Sequence, residues 1–554
     1  MTAQLPPAPT ANANIARHLA LMAAAQPERI ALEVPRGRTR AGDIDYLSLT
    51  FAELDAEVAA WTSRLTSAGV RPGDRTLVMV RQGLPLIASA FAVFRAGAVP
   101  VIIDPGMGLK SFLACVRHAH PRALVGIPLA VLVSRLFRPS FRSVSVRVGA
   151  SGSLTSRLSR PGARLATPSV THPSRENDLA AILFTSGSTG APKGVCYEHR
   201  MFDAQIRLIR ETYGIAPGEI DLPLLPVFAL FNPALGMTTI VPEIDPRRPA
   251  DVDPAKIVQA IRQEGVTNSF GSPTLWRKIG EHCVSHRITL PSLRRVLCAG
   301  APVPASLWNA AAEFLPNSRL HSPYGATEAL PVATISSAEI DTSAIRGACV
   351  GRPVPGIDVR IIEINEGPIS NVSETRAVTA GVIGEIIVRG PVVTETYDEQ
   401  PDATRAAKIR DAAGAVWHRM GDCGFVDADG RLWFCGRKVE RVVTDTETFH
   451  TEPCEQVFRQ DPRVKRCALI GITGATGTRP ALVVEAALRS TTEQRRFARE
   501  LGALARKHPH TNPIRVFYFH PKFPVDVRHN AKIHRLALRR WAATAKGFEI
   551  EPKR

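Results

Sequence analysis

A chain of 554 residues exceeds what a single core of roughly 100–200 residues supports, so at least two folding units are expected. Its 45% hydrophobic and 22% charged residues exclude a disordered or collagen-like chain and describe a soluble globular one. The formal charge of +18 suits phosphates, an anionic surface or an acidic partner, but no aromatic interleaving supports a nucleic-acid groove.

The N-terminus has no basic segment leading into an apolar run, so no signal peptide is expected. Phe51 to Ala68 predicts a helix and Arg75 to Val80 a short strand. Leu84 to Ile103 is the most apolar stretch, but Pro85, Arg95, Gly97 and Pro100 interrupt it. It therefore predicts a buried helix and then a buried strand, Val99 to Ile103, rather than a membrane span. Strands alternating with helices at this spacing imply parallel sheets covered on both faces.

No Asp or Glu occurs between Asp104 and Glu176, whereas Arg135, Arg138, Arg142, Arg147, Arg157, Arg160 and Arg164 do. With the Ser/Gly run of Gly149 to Ser153, the 135–164 segment predicts a basic surface excursion rather than core. A membrane or protein docking role for it stays open. From Val359 the pattern turns to strands and turns, as in Gly384 to Gly390 and Gly430 to Phe434, which fits a smaller, barrel-like subdomain. After Gly436-Arg437-Lys438 a mixed α/β pattern returns and ends in a basic helix from Lys532 to Trp541. The expected division is residues 1–437, with a β-rich subdomain at about 350–437, followed by a small domain at 438–554. The nine cysteines form no Cys-x-x-Cys pair and predict buried thiols in a reducing cytoplasm.

Leu183-Phe184-Thr185-Ser186-Gly187-Ser188-Thr189-Gly190-Ala191-Pro192-Lys193-Gly194 carries the strongest chemical signal. An apolar strand feeds a loop of hydroxyl residues and glycines, whose N–H groups and hydroxyls can surround phosphate oxygens, with Lys193 adding positive charge. It is not a Walker loop, because Pro192 stands where the second glycine of that motif belongs.

This loop resembles that of the adenylate-forming superfamily of acyl-CoA synthetases, luciferases and peptide-synthetase adenylation domains. The resemblance implies an α/β fold with a large N-terminal domain of sheets covered by helices and a small mobile α+β C-terminal domain. It also implies ATP and Mg²⁺ as cofactors. Thr185, Ser186, Gly187, Ser188, Thr189, Gly190 and Lys193 would then hold phosphates. Ser322 to Glu328 is similar to the second nucleotide motif, which implies Tyr324 on adenine, with Gly325 beside it, Thr327 on the α-phosphate and Glu328 on Mg²⁺. Gly300-Ala301-Pro302 resembles the turn lining the adenine pocket. Asp422, in Gly421-Asp422, resembles the ribose ligand, with Arg437 as its partner. Lys532 occupies the place of the lysine that bridges the attacking carboxylate and the α-phosphate, although Ala531 precedes it where the family usually has glycine.

Departures from the common pattern narrow the class. Ala229 stands where amino-acid-activating domains place an aspartate, which disfavours an α-amino substrate. Position 439 is Val rather than the usual pivot, and the following Lys-x-x-Gly element that leaves room for pantetheine is missing. These features resemble the OleC-type β-lactone synthetases of bacterial long-chain olefin biosynthesis, through Ile103 to Gly106, Gly126 to Ala130, Phe228 to Gly236 and Phe523 to Lys532. The resemblance implies adenylation of a 2-alkyl-3-hydroxyalkanoic acid and displacement of AMP by its own 3-hydroxyl, a tethered nucleophile that needs no thiol channel.

Phe202, Phe228, Phe231, Leu235, Met237 and Phe270 are the expected acyl-pocket lining. His321 and His529 are candidate bases for the hydroxyl. A long-chain acyl-CoA or acyl-carrier ligase, and a non-catalytic scaffold, remain as alternatives. A complex with other olefin-pathway enzymes and peripheral membrane association stay open as partners, and no nucleic acid is expected.

Overall fold

Thr50 starts the helix Phe51–Ser67 with a reciprocal cap: the Glu53 N–H donates to Thr50 Oγ1 at 3.2 Å and the Thr50 N–H to Glu53 Oε2 at 2.8 Å. Phe51, Leu54, Val58, Trp61 and Leu65 form its buried stripe, which packs against the helix Leu84–Arg95. Arg95, which interrupts the apolar run of that second helix, is buried and paired with Asp55. The computed structural model describes residues 12–150, 170–185, 192–245, 248, 251–474, 477–525 and 533–551, with positions 105 and 185 described by backbone alone.

Backbone contacts divide the chain into two compact units. The first comprises Met1–Val332, Val354–Ile357 and Gly390–Arg405; the second comprises Ala333–Pro353, Asp358–Arg389 and Ala406–Arg554. The strands, in chain order, begin with β1 (Ile30–Arg38), β2 (Ile44–Thr50), β3 (Arg75–Met79), β4 (Val99–Ile103), β5 (Ala123–Gly126), β6 (Val146–Gly149), β7 (Leu179–Thr185) and β8 (Lys193–Glu198). They continue with β9 (Ile220–Pro223), β10 (Thr238–Ile240), β11 (Asn268–Gly271), β12 (Arg295–Cys298), β13 (Arg319–Ala326) and β14 (Ala329–Ser336).

One sheet of the first unit runs β6-β5-β3-β4-β7-β8, parallel except for the last pair. In the other, β13-β12-β11-β9-β10-β1 are parallel and β2 closes the edge antiparallel. Helices such as Leu84–Arg95, Leu109–Ala119 and Pro128–Leu136 connect successive parallel strands, as the sequence pattern implies.

The basic stretch departs from its expected place outside the core. Residues 146–149 form the edge strand β6, and Phe141 and Val144 join the cluster beneath the sheet with Leu77, Val101, Leu124 and Ile182. Its arginines mask this apolar spacing. Residues 151–169, which hold Arg157, Arg160 and Arg164, lie outside the described residues.

In the second unit β15 (Ala348–Pro353), β16 (Asp358–Ile362), β17 (Gly384–Arg389), β18 (Lys408–Arg410), β19 (Val416–Val426) and β20 (Leu432–Arg437) pair antiparallel in the order β16-β17-β19-β20-β15, with β18 on β19. The order is that of an open sheet rather than the barrel-like closure the pattern suggests. Beyond it lie the small pair β21 (Val442–Val443) and β22 (Thr448–Phe449). The sheet β23 (Arg466–Gly474), β24 (Gly477–Glu485), β25 (Val516–Phe519) and β26 (Phe548–Glu549) follows. The basic C-terminal helix is present as Arg535–Ala542, and Leu538 and Ala542 anchor it against β23. All nine cysteines are free thiols, and only Cys196 is not fully buried. Among the described residues no helix is long and apolar enough to cross a membrane.

Candidate active site

The phosphate-loop motif is a hairpin. Its strands β7 and β8 are antiparallel, with Thr185 opposite Lys193 and Phe184 opposite Gly194. Ser186, Gly187, Ser188, Thr189 and Gly190 lie outside the described residues. A third extended segment runs along β8: Val195 bridges to Tyr397, the Asp398 N–H donates to the Gly194 carbonyl at 2.7 Å, and the Cys196 N–H to that of Thr396 at 3.3 Å. The approach is close because position 194 lacks a side chain. A Cβ there would stand 2.8 Å from Phe184 Cζ and 3.1 Å from Asp398 Cβ. Asp398 is buried, with its carboxylate 2.7 Å from the Arg75 guanidinium and its carbonyl 2.7 Å from His118 Nε2.

Thr327 and Glu328 form the two-residue turn between β13 and β14. Gly325 lets the strands close on it, since a Cβ there would meet the Ala329 carbonyl at 2.6 Å. Tyr397 Oη donates to Glu328 Oε1 at 2.7 Å, and the Thr394 N–H to the Glu328 carbonyl at 2.9 Å. Tyr197 Oη donates to the Thr327 carbonyl, and burial pushes its phenol pKa up, which keeps it a donor. Lys193 Nζ lies 4.9 Å from the centroid of the Tyr397 ring. Lys193, Thr327 and Glu328 are thus gathered around two buried tyrosines.

Gly300 and Tyr324 each stand three residues beyond Leu297 and His321, which are paired in the parallel ladder of β12 and β13. The turn of Gly300, Ala301 and Pro302 thereby follows the same strand ends as Tyr324, and Gly300 takes φ +98, which favours glycine. The His321 ring meets Tyr213 edge-on at 5.5 Å.

Three of the expected lining residues form an aromatic group. Phe228 stacks on Phe270 with centroids 3.7 Å apart, and Phe231 lies 6.3 Å from Phe228. Leu235 and Met237 are buried in the core, and Phe202 stacks on Tyr197 at 4.8 Å. A buried polar network holds the 226–236 segment. Asn232 Nδ2 donates to Asp221 Oδ2 at 2.8 Å and Thr239 Oγ1 at 2.9 Å, and Asn268 Nδ2 donates to Asp221 Oδ1 at 2.5 Å. Burial pushes the Asp221 carboxyl up to about 6.

Within the second unit, Asp422 and Arg437 are cross-strand partners on β19 and β20. Arg437 Nη1 is 3.0 Å from Asp422 Oδ1 and donates to the Met420 carbonyl at 3.1 Å. Gly436 takes φ +120, and a Cβ there would stand 2.0 Å from Thr451 Oγ1 at the start of the helix Thr451–Phe458. Lys438 Nζ and the Arg419 guanidinium share Glu385 at 3.1 Å and 2.8 Å. Lys532 and His529 lie outside the described residues.

The sequence model of AMP-binding enzymes matches residues 20–398, which include both the hairpin and the turn. The chain belongs to the AMP-binding enzyme family. It is 44% identical over 550 residues to an olefin β-lactone synthetase of Xanthomonas campestris pv. campestris, covering 96% of this chain and 97% of that one. To an olefin β-lactone synthetase of Stenotrophomonas maltophilia it is 43% identical over 548 residues, covering 96% and 98%. An amide bond synthetase, McbA, from Marinactinospora thermotolerans superposes with a TM-score of 0.75 at 25% identity, covering 95% of this chain and 99% of that one. The chain is therefore an ATP-dependent, adenylate-forming enzyme of mixed α/β architecture.

In this AMP-binding enzyme the sequence motifs omit Tyr197, Tyr397 and Asp398. Their only signal is an aromatic residue within short polar runs, Cys196-Tyr197-Glu198 and Thr396-Tyr397-Asp398, which carry no glycine or charge pattern. Their contacts join residues distant in sequence, and only the fold reveals them.

Proposed function

We propose that this AMP-binding enzyme adenylates a 2-alkyl-3-hydroxy fatty acid and closes it to a β-lactone, releasing AMP and pyrophosphate. The observation that carries the proposal is identity of 43–44% along nearly the whole chain to two olefin β-lactone synthetases. The residues that depart from ordinary ligases support it. Ala229 is buried and offers no carboxylate to an amine, and Val439, where a pivot is usual, is exposed.

In the proposed assignment Lys193, Thr327 and the loop from Thr185 to Gly190 hold phosphates, and Tyr324 with Gly300, Ala301, Pro302 and Gly325 borders adenine. Asp422, oriented by Arg437, takes the ribose hydroxyls. Lys532 bridges the substrate carboxylate and the α-phosphate, and the small domain that carries it begins at 438. Phe228, Phe231, Leu235, Met237 and Phe270 belong to the acyl side.

Among the described residues no cluster of three or more His, Cys, Asp or Glu is placed to hold a metal. Mg²⁺ at a nucleotide needs none, because one or two carboxylates, phosphates and water complete its shell, and Glu328 with one oxygen fixed by Tyr397 fits that role. Mg²⁺ bound there would neutralise charge on the phosphate oxygens.

In the first step a substrate carboxylate oxygen bonds to the α-phosphorus and the bond to pyrophosphate breaks. Lys193 and Lys532 oppose the negative charge that develops. In the second the 3-hydroxyl oxygen bonds to the acyl carbon, the carbon–oxygen bond to AMP breaks, and the hydroxyl proton is released. The acyl pocket's contribution is to fold the substrate so that hydroxyl and carbonyl meet, and the tether supplies the rest of the orientation.

The test is product analysis by NMR after incubating the protein with ATP, Mg²⁺ and a synthetic 2-alkyl-3-hydroxy fatty acid, with and without CoA. A β-lactone and AMP formed without CoA is the expected result. A thioester formed only with CoA would place the enzyme among the acyl-CoA ligases and overturn lactone closure.

A further inference from the structure

The helix Pro128–Leu136 packs Ala130, Val133 and Ser134 toward the sheet and turns its leucines outward. Ala130 and Ser134 are buried, whereas Leu129, Leu132 and Leu136 are 63%, 51% and 67% exposed, and Phe137, just past its end, is 37% exposed. Spacing of three and then four residues puts the three leucines on one stripe. Isolated exposed leucines are ordinary, but an aligned row on one short helix is not what a surface helix facing water displays. Arg135, Arg138 and Arg142, all exposed, flank the stripe. From position 105 to 175 the chain carries eleven Lys and Arg and no Asp or Glu.

We propose that this face docks the enzyme on an anionic phospholipid surface, with Leu129, Leu132, Leu136 and Phe137 entering the headgroup boundary and Arg135, Arg138 and Arg142 on lipid phosphates. The charge pattern selects this occupant. The exposed Arg135, Arg138 and Arg142 beside a row of leucines, in a segment without Asp or Glu, suit a surface that offers negative phosphates and an apolar layer together, which a lipid headgroup region does. Apolar side chains rimmed by arginine are the composition of a helix that lies in a membrane interface. A short amphipathic helix of this kind lies in the plane of the interface, so the attachment proposed is peripheral. The surface belongs to no element of the nucleotide site, so the proposal stands whichever acid the enzyme activates.

The experiment is co-sedimentation of the full chain with vesicles of phosphatidylcholine alone and of phosphatidylcholine mixed with phosphatidylglycerol. ATP–pyrophosphate exchange on a water-soluble acid serves as the control for folding. The wild type should pellet with the mixed vesicles and be released by salt. Leu129→Ser/Leu132→Ser/Leu136→Ser and Arg135→Gln/Arg138→Gln/Arg142→Gln should each fall to the level seen on phosphatidylcholine alone, with exchange unchanged. Three results would overturn the proposal. The first is equal pelleting of wild type and both variants. The second is no pelleting of the wild type while the leucine variant alters its sedimentation coefficient, which would make the face a contact between copies. In the third, pelleting appears only after residues 151–169 are deleted, which would make the stripe the seat of that segment.

Discussion

The hydroxyl of Tyr397 donates to Glu328 Oε1 at 2.7 Å, while the face of the same ring lies 4.9 Å from Lys193 Nζ. One side chain thus fixes the carboxylate proposed for the metal and supports the lysine proposed for the phosphates. Tyr397→Phe keeps the ring and removes the donor. A hydrogen bond to a charged group is worth about 1.5–3 kcal/mol, so adenylation measured by pyrophosphate exchange should fall on the order of 10- to 100-fold. The Mg²⁺ concentration for half-maximal ATP binding, read by calorimetry, should rise as well. Lower activity with an unchanged Mg²⁺ dependence would show that Tyr397 does not act through Glu328.

Gly194→Ala tests the close approach of three extended segments. Its Cβ would stand 2.8 Å from Phe184 Cζ and 3.1 Å from Asp398 Cβ, both in buried side chains. Overpacking of this kind costs about 1–3 kcal/mol and should appear as a lower Tm. An unchanged Tm would mean that the segment 394–398 yields without strain.

Asp422→Ala should weaken ATP on the order of tenfold or more while 2′-deoxy-ATP is affected less, because the aspartate's proposed partners are the ribose hydroxyls. The comparison of KM for the two nucleotides separates this role from a structural one. If both nucleotides weaken equally, the ion pair with Arg437, 3.0 Å long, holds β19 and β20 together at the end away from their turn instead.

Acid should destabilise the first unit through His199. Burial lowers its pKa to about 4, and its Nδ1 accepts the Ile15 N–H at 3.2 Å, so the folded chain needs the neutral ring. The unfolded state therefore binds the extra proton first as pH falls below 6.5. The stability it withholds grows until the folded ring itself titrates near 4, on the order of 3 kcal/mol in all. Urea midpoints measured from pH 7 down to pH 4 should fall in wild type and fall less steeply in His199→Gln. Parallel profiles would assign the acid sensitivity to other groups.

Strand β7 is legible in the sequence because an unbroken apolar run ends at a hydroxyl and glycine cluster. The Thr327–Glu328 turn is legible through its neighbours Tyr324 and Gly325. Tyr397 is not, since its partner lies 69 residues away and nothing in local spacing announces a hydrogen bond between a strand and a distant turn. The basic stretch misleads for a related reason: arginine content describes the outer surface of 137–149, whereas Phe141 and Val144 decide where its backbone goes. For the helix Pro128–Leu136 the apolar periodicity is plain, but which face meets the sheet depends on Ala130 and Ser134, the small residues that allow close approach.

Extended backbone sends successive side chains to opposite sides, and the segment 396–398 uses this alternation to place Tyr397 toward Glu328 and Asp398 toward Arg75. Anchor and prop are therefore locked in phase. Losing one residue ahead of them would bring Asp398 into the place of Tyr397 and set a second carboxylate against Glu328; gaining one would set the phenol against the Arg75 guanidinium. Substitutions can tune this segment, but losing a residue from it would put a negative charge beside Glu328 where a neutral donor now stands.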